Sequence, residues 1–336
     1  MGASRFSHHV VAVGVLALIL TAGDAIQVLA ADKIKMSSRS TFWDLVLIES
    51  GAAKKYNLAI ELVRMKSGPE VTEALVGGSV DVGSIGETPL TSLLTRTANV
   101  VGVIGTAVST NGSYAKVIVP KKSGFKSIED LKGKKIATKV GSGSFRALSD
   151  WCRKTAKCSL SDFRITNTAP GAIVAALQAG SVDAGIWFAP VTTIATAKGF
   201  GRILMDFKGA NQGQASWVVN RAYAKKNPDV VARFLAATID AQQILVKDPA
   251  RAAKLIERGM QKRGRDLTAD ILEPGIAAGD FDYRPSMDVD RKVAVFNAVF
   301  DSLKANGKLQ GDRPDFSKGL LPAYHKKAEA LAAKSK

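Results

Sequence analysis

The sequence predicts an α/β protein of two lobes, each with a mainly parallel sheet flanked by helices, joined by two crossing segments. Three observations carry this expectation. Apolar strand-like runs alternate with helix-like runs along most of the chain, the pattern of parallel sheets. The ten residues ALVGGSVDVG at 74–83 recur as ALQAGSVDAG at 176–185, with seven identities at a constant offset of 102, as expected of two related units. The segment ASWVVN at 215–220 then reads as a return from the second unit to the first. With 336 residues and 46% hydrophobic content, the chain is long enough for about two domains of ~150 residues.

The elements follow in order. Strand-like IKMSSRS (34–40) leads into a helix over 42–56, FWDLVLIESGAAKKY, and then strand AIELVRM (59–65). In PEVTEALVG, Val71, Leu75 and Val76 fall on one helical face, and Gly77 and Gly78 suit a helix end. Val80, Val82 and Ile85 suit a strand covered on both faces. A helix near PLTSLLTR and strand VVGVIGTAV (100–108) complete the first unit, and AKVIVP (115–120) leaves it. The second unit runs through IEDLKG, strand KIATK (135–139), loop VGSGS, helix FRALSDWCRKTA, strand FRITNT (163–168), the second repeat and strand GRILMDF (201–207). From Pro228 onward the chain reads as helical, beginning with PDVVARFLAATIDAQQILVKDP, and these helices are expected to pack back on the first lobe. The expected division is 31–115 plus 216–336 for the first lobe and 116–215 for the second.

Arg5 precedes the apolar run VVAVGVLALIL from Val10 to Leu20, far shorter than the ~20 residues that span a bilayer. Val28 and Ala30 supply small residues before a cleavage point near Ala31, so residues 1–30 read as a secretory signal peptide and the mature protein as exported to the periplasm. Cys152 and Cys158 lack the second pair or the histidines that zinc needs. In an oxidising compartment they are expected to close a local disulfide, two free thiols being the alternative.

Removing residues 1–30 takes away only Arg5 and Asp24, so the net charge stays at +17. The basic residues are scattered between apolar elements and are not clustered with aromatics, which excludes a nucleic-acid stripe and favours anionic small molecules or surfaces. His8 and His9 lie in the leader and His325 in a polar C-terminal stretch, leaving no base for a serine or cysteine nucleophile and no histidine metal site. There is no GxxxxGK[ST] phosphate loop, and GSGSFR at 141–146 lacks the third glycine of a dinucleotide fingerprint. No enzyme activity, cofactor or metal is expected.

The leader, the GSVDxG repeat, SIEDLKGKKIATKVGSGS and VDAGIWFAP with its downstream PDVVARFL resemble the periplasmic solute-binding proteins of nitrate, sulfonate and taurine ABC importers, the NMT1-like group. The similarity spans almost the whole mature chain. It implies a type II periplasmic-binding fold, a monomer that clamps a small anionic or zwitterionic solute between its lobes and delivers it to a membrane permease. The same fold serves ligand sensors for membrane signalling proteins, and neighbouring genes for a permease and ATPase rather than a kinase would separate the two roles. A pyrimidine-precursor binding protein or synthase also shares it, but the enzyme would need a histidine and a cysteine-rich motif absent here. In the sulfonate and taurine relatives an aromatic residue, an acid and a proline follow VDA. Here Phe188, Ala189 and Pro190 stand there, and the missing acid counts against a taurine-like ligand.

Ligands of open α/β sheets sit beyond the carboxyl ends of the strands. That rule nominates Arg39, Ser40, Thr41, Phe42 and Trp43; Gly86, Glu87 and Thr88; Ser142, Gly143, Ser144 and Phe145; and Trp187, Phe188 and Pro190. In GSGS the small residues leave backbone N–H groups open at a helix start, so Ser142, Gly143 and Ser144 suit an anionic head group, a plain N-cap being the alternative. Arg39 and Arg146 are candidate charge partners, Phe42, Trp43, Trp187 and Phe188 candidate apolar walls, and Glu87 either a ligand acceptor or a solvent-facing acid.

Overall fold

The computed structural model describes residues 30–38, 41–65, 68–109, 115–208, 214–277 and 283–335. The leader up to residue 29 and the candidate site residues Arg39 and Ser40 lie outside the described residues. Ala31–Lys336 forms one compact unit.

The chain begins with β1 (Asp32–Ser38), α1 (Phe42–Glu49), α2 (Ala52–Lys55), β2 (Leu58–Arg64), α3 (Gly68–Val76), β3 (Val82–Gly86), α4 (Glu87–Thr97) and β4 (Val101–Ser109). It continues with β5 (Lys116–Pro120), β6 (Lys135–Thr138), α5 (Gly143–Thr155), β7 (Arg164–Asn167), α6 (Ile173–Gln178), β8 (Ala184–Trp187), α7 (Val191–Ala197) and β9 (Gly201–Asp206). The remainder is β10 (Gln214–Asn220), α8 (Arg221–Lys226), α9 (Pro228–Lys247), α10 (Pro249–Gln261), α11 (Ala269–Ala277), β11 (Tyr283–Ser286), α12 (Val289–Ala305) and α13 (Pro322–Lys334).

Two sheets result, ordered β11-β4-β10-β3-β1-β2 in the first lobe and β7-β6-β8-β5-β9 in the second. Both are mixed, with most strands of each sheet running the same way. The βαβ units β1/β2, β1/β3, β6/β7 and β6/β8 are parallel as the alternation requires. The strand that enters each sheet from the other lobe runs against both its neighbours: β5 against β8 and β9, β10 against β3 and β4. The expected crossings at 115–120 and 215–220 are therefore paired strands, β4 ending at Ser109 in one sheet and β5 beginning at Lys116 in the other, β9 ending at Asp206 and β10 beginning at Gln214.

Helices cover both faces of each sheet. In the first lobe α1, α9, α10, α11 and α13 bury one core, containing Phe42, Leu45, Trp217, Phe234 and Ile256. On the opposite face α3, α4 and α12 bury Leu75, Leu90, Phe296 and Phe300. In the second lobe α5 packs one face through Ala147, Leu148 and Cys152, while α6 and α7 pack the other through Ile173, Leu177, Val191 and Ala195.

The repeat turns out to be a matched folding junction. After α3 and α6 the chain turns at Gly78 (φ +71°) and Gly180 (φ +66°), backbone angles that cost a side chain energy. Ser79 and Ser181 then return their backbone N–H and hydroxyl to the carbonyls of Ala74 and Ala176. At Gly83 and Gly185 a Cβ would collide with Val71 Cγ1 of α3 and with Ile173 Cγ2 of α6, so helix and strand pack closely only because these are glycines. The two repeat strands β3 and β8 belong to different sheets, as two related lobes require.

Several expectations need correction. The helix expected over 42–56 breaks into α1 and α2 at Gly51 (φ +76°). Val76 is 37% exposed and Ala74 takes its place in the core. The segment VTTIATA, rich in β-branched residues and absent from the expected helices, forms α7 because Val191, Thr192 and Ala195 bury against the second sheet. The C-terminal region is not all helical, since YRPS at 283–286 adds edge strand β11 beside β4. His325 is not in a polar tail: α13 packs it beneath the first lobe at 4% exposure.

Candidate functional site

Four of the helices begin directly beyond the carboxyl ends of four strands: α1 after β1, α4 after β3, α5 after β6, and α7 after β8. Each start carries the positive end of a helix dipole. The described nominated residues lie at these four starts.

At α5, Ser142 is the N-cap, its hydroxyl accepting from Phe145 N at 3.3 Å. Ser144 is fully buried, its Oγ 2.9 Å from Thr138 Oγ1 and 2.8 Å from Ser142 Oγ. These contacts hold the loop in shape, with Ser142 capping the helix. Ser142, Gly143 and Phe145 remain partly exposed.

Glu87 does not face solvent, and of its two carboxylate oxygens only Oε1 has a hydrogen-bond partner among the described residues. It is 5% exposed at the start of α4, and its Oε1 accepts from Ser216 Oγ of β10 at 3.1 Å and from Lys292 Nζ of α12. Lys292 is itself 3% exposed. Burial pushes the Lys292 ammonium below its ordinary value, and the Glu87 carboxylate opposes that shift. The pair fixes α12 to the start of α4 from within.

Arg146 is likewise committed inside the protein. Its Nη1 meets Asp150 Oδ2 at 2.6 Å, and its Nε donates to Thr88 Oγ1 at 3.1 Å. Burial lowers its pKa while the Asp150 charge resists. The Thr88 bond joins α5 of the second lobe to α4 of the first. Beside it, Ser302 Oγ donates to Asp150 Oδ1 at 2.6 Å and Ser149 Oγ to Asn306 Oδ1 at 2.9 Å. One flank between the lobes is thus polar, with Asp150 receiving Arg146, Arg153 and Ser302. On the other, Ala189 and Ile194 pack against the first-lobe core, α7 adjoins α11, and Lys198 Nζ donates to Asp266 O at 3.4 Å.

The aromatic residues divide. The Phe42 ring is in the first-lobe core at 2% exposure. Trp43 is half-buried, and its Nε1 donates to Ser84 Oγ of β3 at 3.1 Å, tying the start of α1 to that strand. Trp187 and Phe188 form a half-buried edge-to-face pair with ring centroids 6.0 Å apart. At the start of α1, Asp44 Oδ2 accepts from Thr41 N at 3.3 Å and Ser38 Oγ at 3.1 Å, bracketing residues 39–40. Cys152 and Cys158 are joined in a disulfide that links α5 to the segment after it.

Lys292, Ser216, Asp150, Ser302 and Asn306 were not among the expected site residues. Lys292 left a signal: helical spacing places it with Phe296 and Val299 on an apolar face, where a lysine requires a buried partner. Asp150 left a weaker one, four residues beyond Arg146.

Comparison with known proteins bears on the arrangement as a whole. Residues 49–252 match the family model described as NMT1/THI5 like. The taurine-binding periplasmic protein of Escherichia coli is 28% identical over 291 residues, covering 81% of this chain and 85% of its own. A putative aliphatic sulfonates-binding protein of the same organism is 32% identical over 227 residues, 67% of each chain. Among solved structures, the alkanesulfonate-binding protein SsuA from Xanthomonas axonopodis pv. citri bound to MOPS superposes with a TM-score of 0.75 at 23% identity, covering 87% of this chain and 98% of that one. The periplasmic nitrate-binding protein NrtA from Synechocystis superposes at 0.70 with 15% identity, covering 91% of both. The fold is that of the type II periplasmic binding proteins, and the chain belongs to the NMT1/THI5-like family.

Proposed function

We propose that this protein captures a small anionic organic solute, of the sulfonate class, outside the cytoplasm and delivers it to an ABC importer by closing two lobes around it. The lobes are residues 31–115 with 216–336, and residues 116–215. The observation that carries this reading is the start of α5: a capped, partly exposed helix N-terminus at the carboxyl end of β6, held beside the start of α4 by the Arg146 to Thr88 bond. Backbone N–H groups at such a start favour an anion. Trp43, Trp187 and Phe188 supply half-buried apolar surface for the organic part of the solute.

The relatives' names support the same class, with taurine and aliphatic sulfonates in the two sequence relatives. The disulfide fits an exported protein in the periplasm. Binding without chemistry fits the residues at hand. Both cysteines are in the disulfide, and His325 is buried in α13 beside Glu329, so neither supplies a nucleophile or base at the helix starts. No acid replaces Ala189, which favours a plain alkanesulfonate over taurine.

A thermal-shift screen of ethanesulfonate, taurine and nitrate tests the class, since a ligand of the native state raises the melting temperature in step with its concentration. Gly143→Asp tests the place. An acid in the first turn of α5 is favourable for the helix, so the variant should stay folded while ethanesulfonate affinity falls at least about tenfold by like-charge repulsion. Unchanged affinity in a folded variant would move the anion site elsewhere, and no response to any of the three anions would reject the class.

A further inference from the structure

We propose that the outer face of α10 is a docking surface for an anionic phospholipid bilayer, holding the exported protein at the membrane surface independently of its solute. The exposed positions of α10 are Ala250, Arg251, Lys254, Arg258 and Gln261, which include three cations and no acid. Arg251, Lys254 and Arg258 recur at intervals of three and four, so they line one face of the helix. Lys262, one turn further, carries the row to a length of about 17 Å. Among the described residues no ion pair engages Arg251, Lys254 or Arg258, whereas Lys262 pairs with Glu49 at 2.7 Å. The opposite face of α10 is fully used in the core, through Ala252, Ala253, Leu255, Ile256 and Met260.

The row starts at an open depression of about 450 Å³ whose cations are Lys55, Lys247 and Arg251. Its two acids are engaged within the protein. Asp240 accepts from Lys55 Nζ and Tyr56 Oη at 2.9 Å each, and Asp248 caps α10 by accepting from Arg251 N at 3.1 Å. The Lys247 and Arg251 side chains are left exposed at a concavity sized for a phosphate-bearing headgroup.

The chemistry of the face favours a bilayer over a protein partner. Protein interfaces centre on buried aromatic or apolar anchors, and the exposed positions of α10 offer none larger than Ala250. A planar array of phosphates needs no anchor, because each lysine or arginine near the surface adds its own attraction. The whole chain carries a net charge of +17, which adds long-range attraction of the same sign.

Sedimentation of the mature protein with vesicles tests this. Binding to phosphatidylglycerol-rich vesicles but not to pure phosphatidylcholine is expected, falling as salt rises from about 0.05 M to about 0.5 M. The variant R251E/K254E/R258E should lower the partition coefficient at least about tenfold. The control K121E/K122E/K134E, with the same charge change on exposed lysines of the second lobe, should retain most of the binding. Free glycerol phosphate at millimolar concentration should not compete, which separates a membrane surface from a soluble phosphate. Absence of wild-type binding, equal losses in both variants, or competition by the free phosphate would each overturn the assignment. So would loss of importer stimulation in the α10 variant without vesicle binding by the wild type, which would give the face to the permease.

Discussion

Asp81 and Asp183 hold the same position in two different sheets. Asp81 Oδ2 accepts from Lys35 N at 2.7 Å while Asp81 N donates to Lys35 O at 2.9 Å. Asp183 repeats both bonds on Lys135, at 2.8 Å and 2.9 Å. In each lobe one aspartate clasps the strand next to its own, β1 in one and β6 in the other, before the repeat strand begins. The repeated SVD is therefore a structural signature, and the proposed binding chemistry lies beyond the far ends of the same strands.

Asp81→Ala and Asp183→Ala should each lower unfolding stability by about 1 to 2 kcal/mol, the range for a charge-assisted bond to backbone at a partly exposed site. Burial raises the Asp81 pKa despite the Lys35 bond, so its loss should fall at the lower end. Urea denaturation of both variants is the measurement. A loss confined to one of the two would end their equivalence.

The Glu87–Lys292 pair should behave as a buried ion pair. Glu87→Gln leaves a buried ammonium without its counter-charge, at a cost of about 3 to 5 kcal/mol. Replacing both, as Glu87→Gln with Lys292→Met, removes the charge that needed compensating and should recover more than half of that loss. A double variant as unstable as the sum of the singles would contradict the pairing.

The polar flank predicts a conformational effect separable from folding. Ser302→Ala removes one bond between the lobes while Asp150 keeps Arg146 and Arg153. Loss of about 1 kcal/mol from the closed state should reduce solute affinity up to about fivefold and raise the radius of gyration of the solute-free protein in small-angle scattering. Asp150→Asn should also lower the melting temperature, because it strips the charge partner from the largely desolvated Arg146. If Ser302→Ala matches the wild type in both affinity and radius, this flank does not govern closure.

His325 predicts an acid response. Burial depresses its pKa below the ordinary 6.5, with Glu329 opposing. The unfolded chain therefore takes up a proton near pH 6.5 that the folded chain refuses. The stabilisation by the neutral ring is complete above that pH and is lost as pH falls toward the depressed value, by about 1.4 kcal/mol per unit at most. His325→Gln should flatten the stability profile between about pH 6.5 and 5. An unchanged slope would show that the ring is not buried neutral.

What the sequence determined by itself was local. The alternation of strands and helices, the glycine turns after α3 and α6, the N-cap at Ser142 and the six-residue spacing of Cys152 and Cys158 depend on residues close together in the chain, so periodicity and turn chemistry reveal them. Tertiary structure decided the fate of each charged residue. Glu87 and His325 look like cleft and tail groups in the sequence, and both are buried because α12 and the underside of the first lobe pack over them. It also decided β11, an edge strand that only pairing with β4 makes a strand, and α7, a β-branched segment made helical by what it buries. The common reason is physical: burial and pairing are set by what lies opposite a residue in space, and these partners stand as far apart in sequence as Glu87 and Lys292.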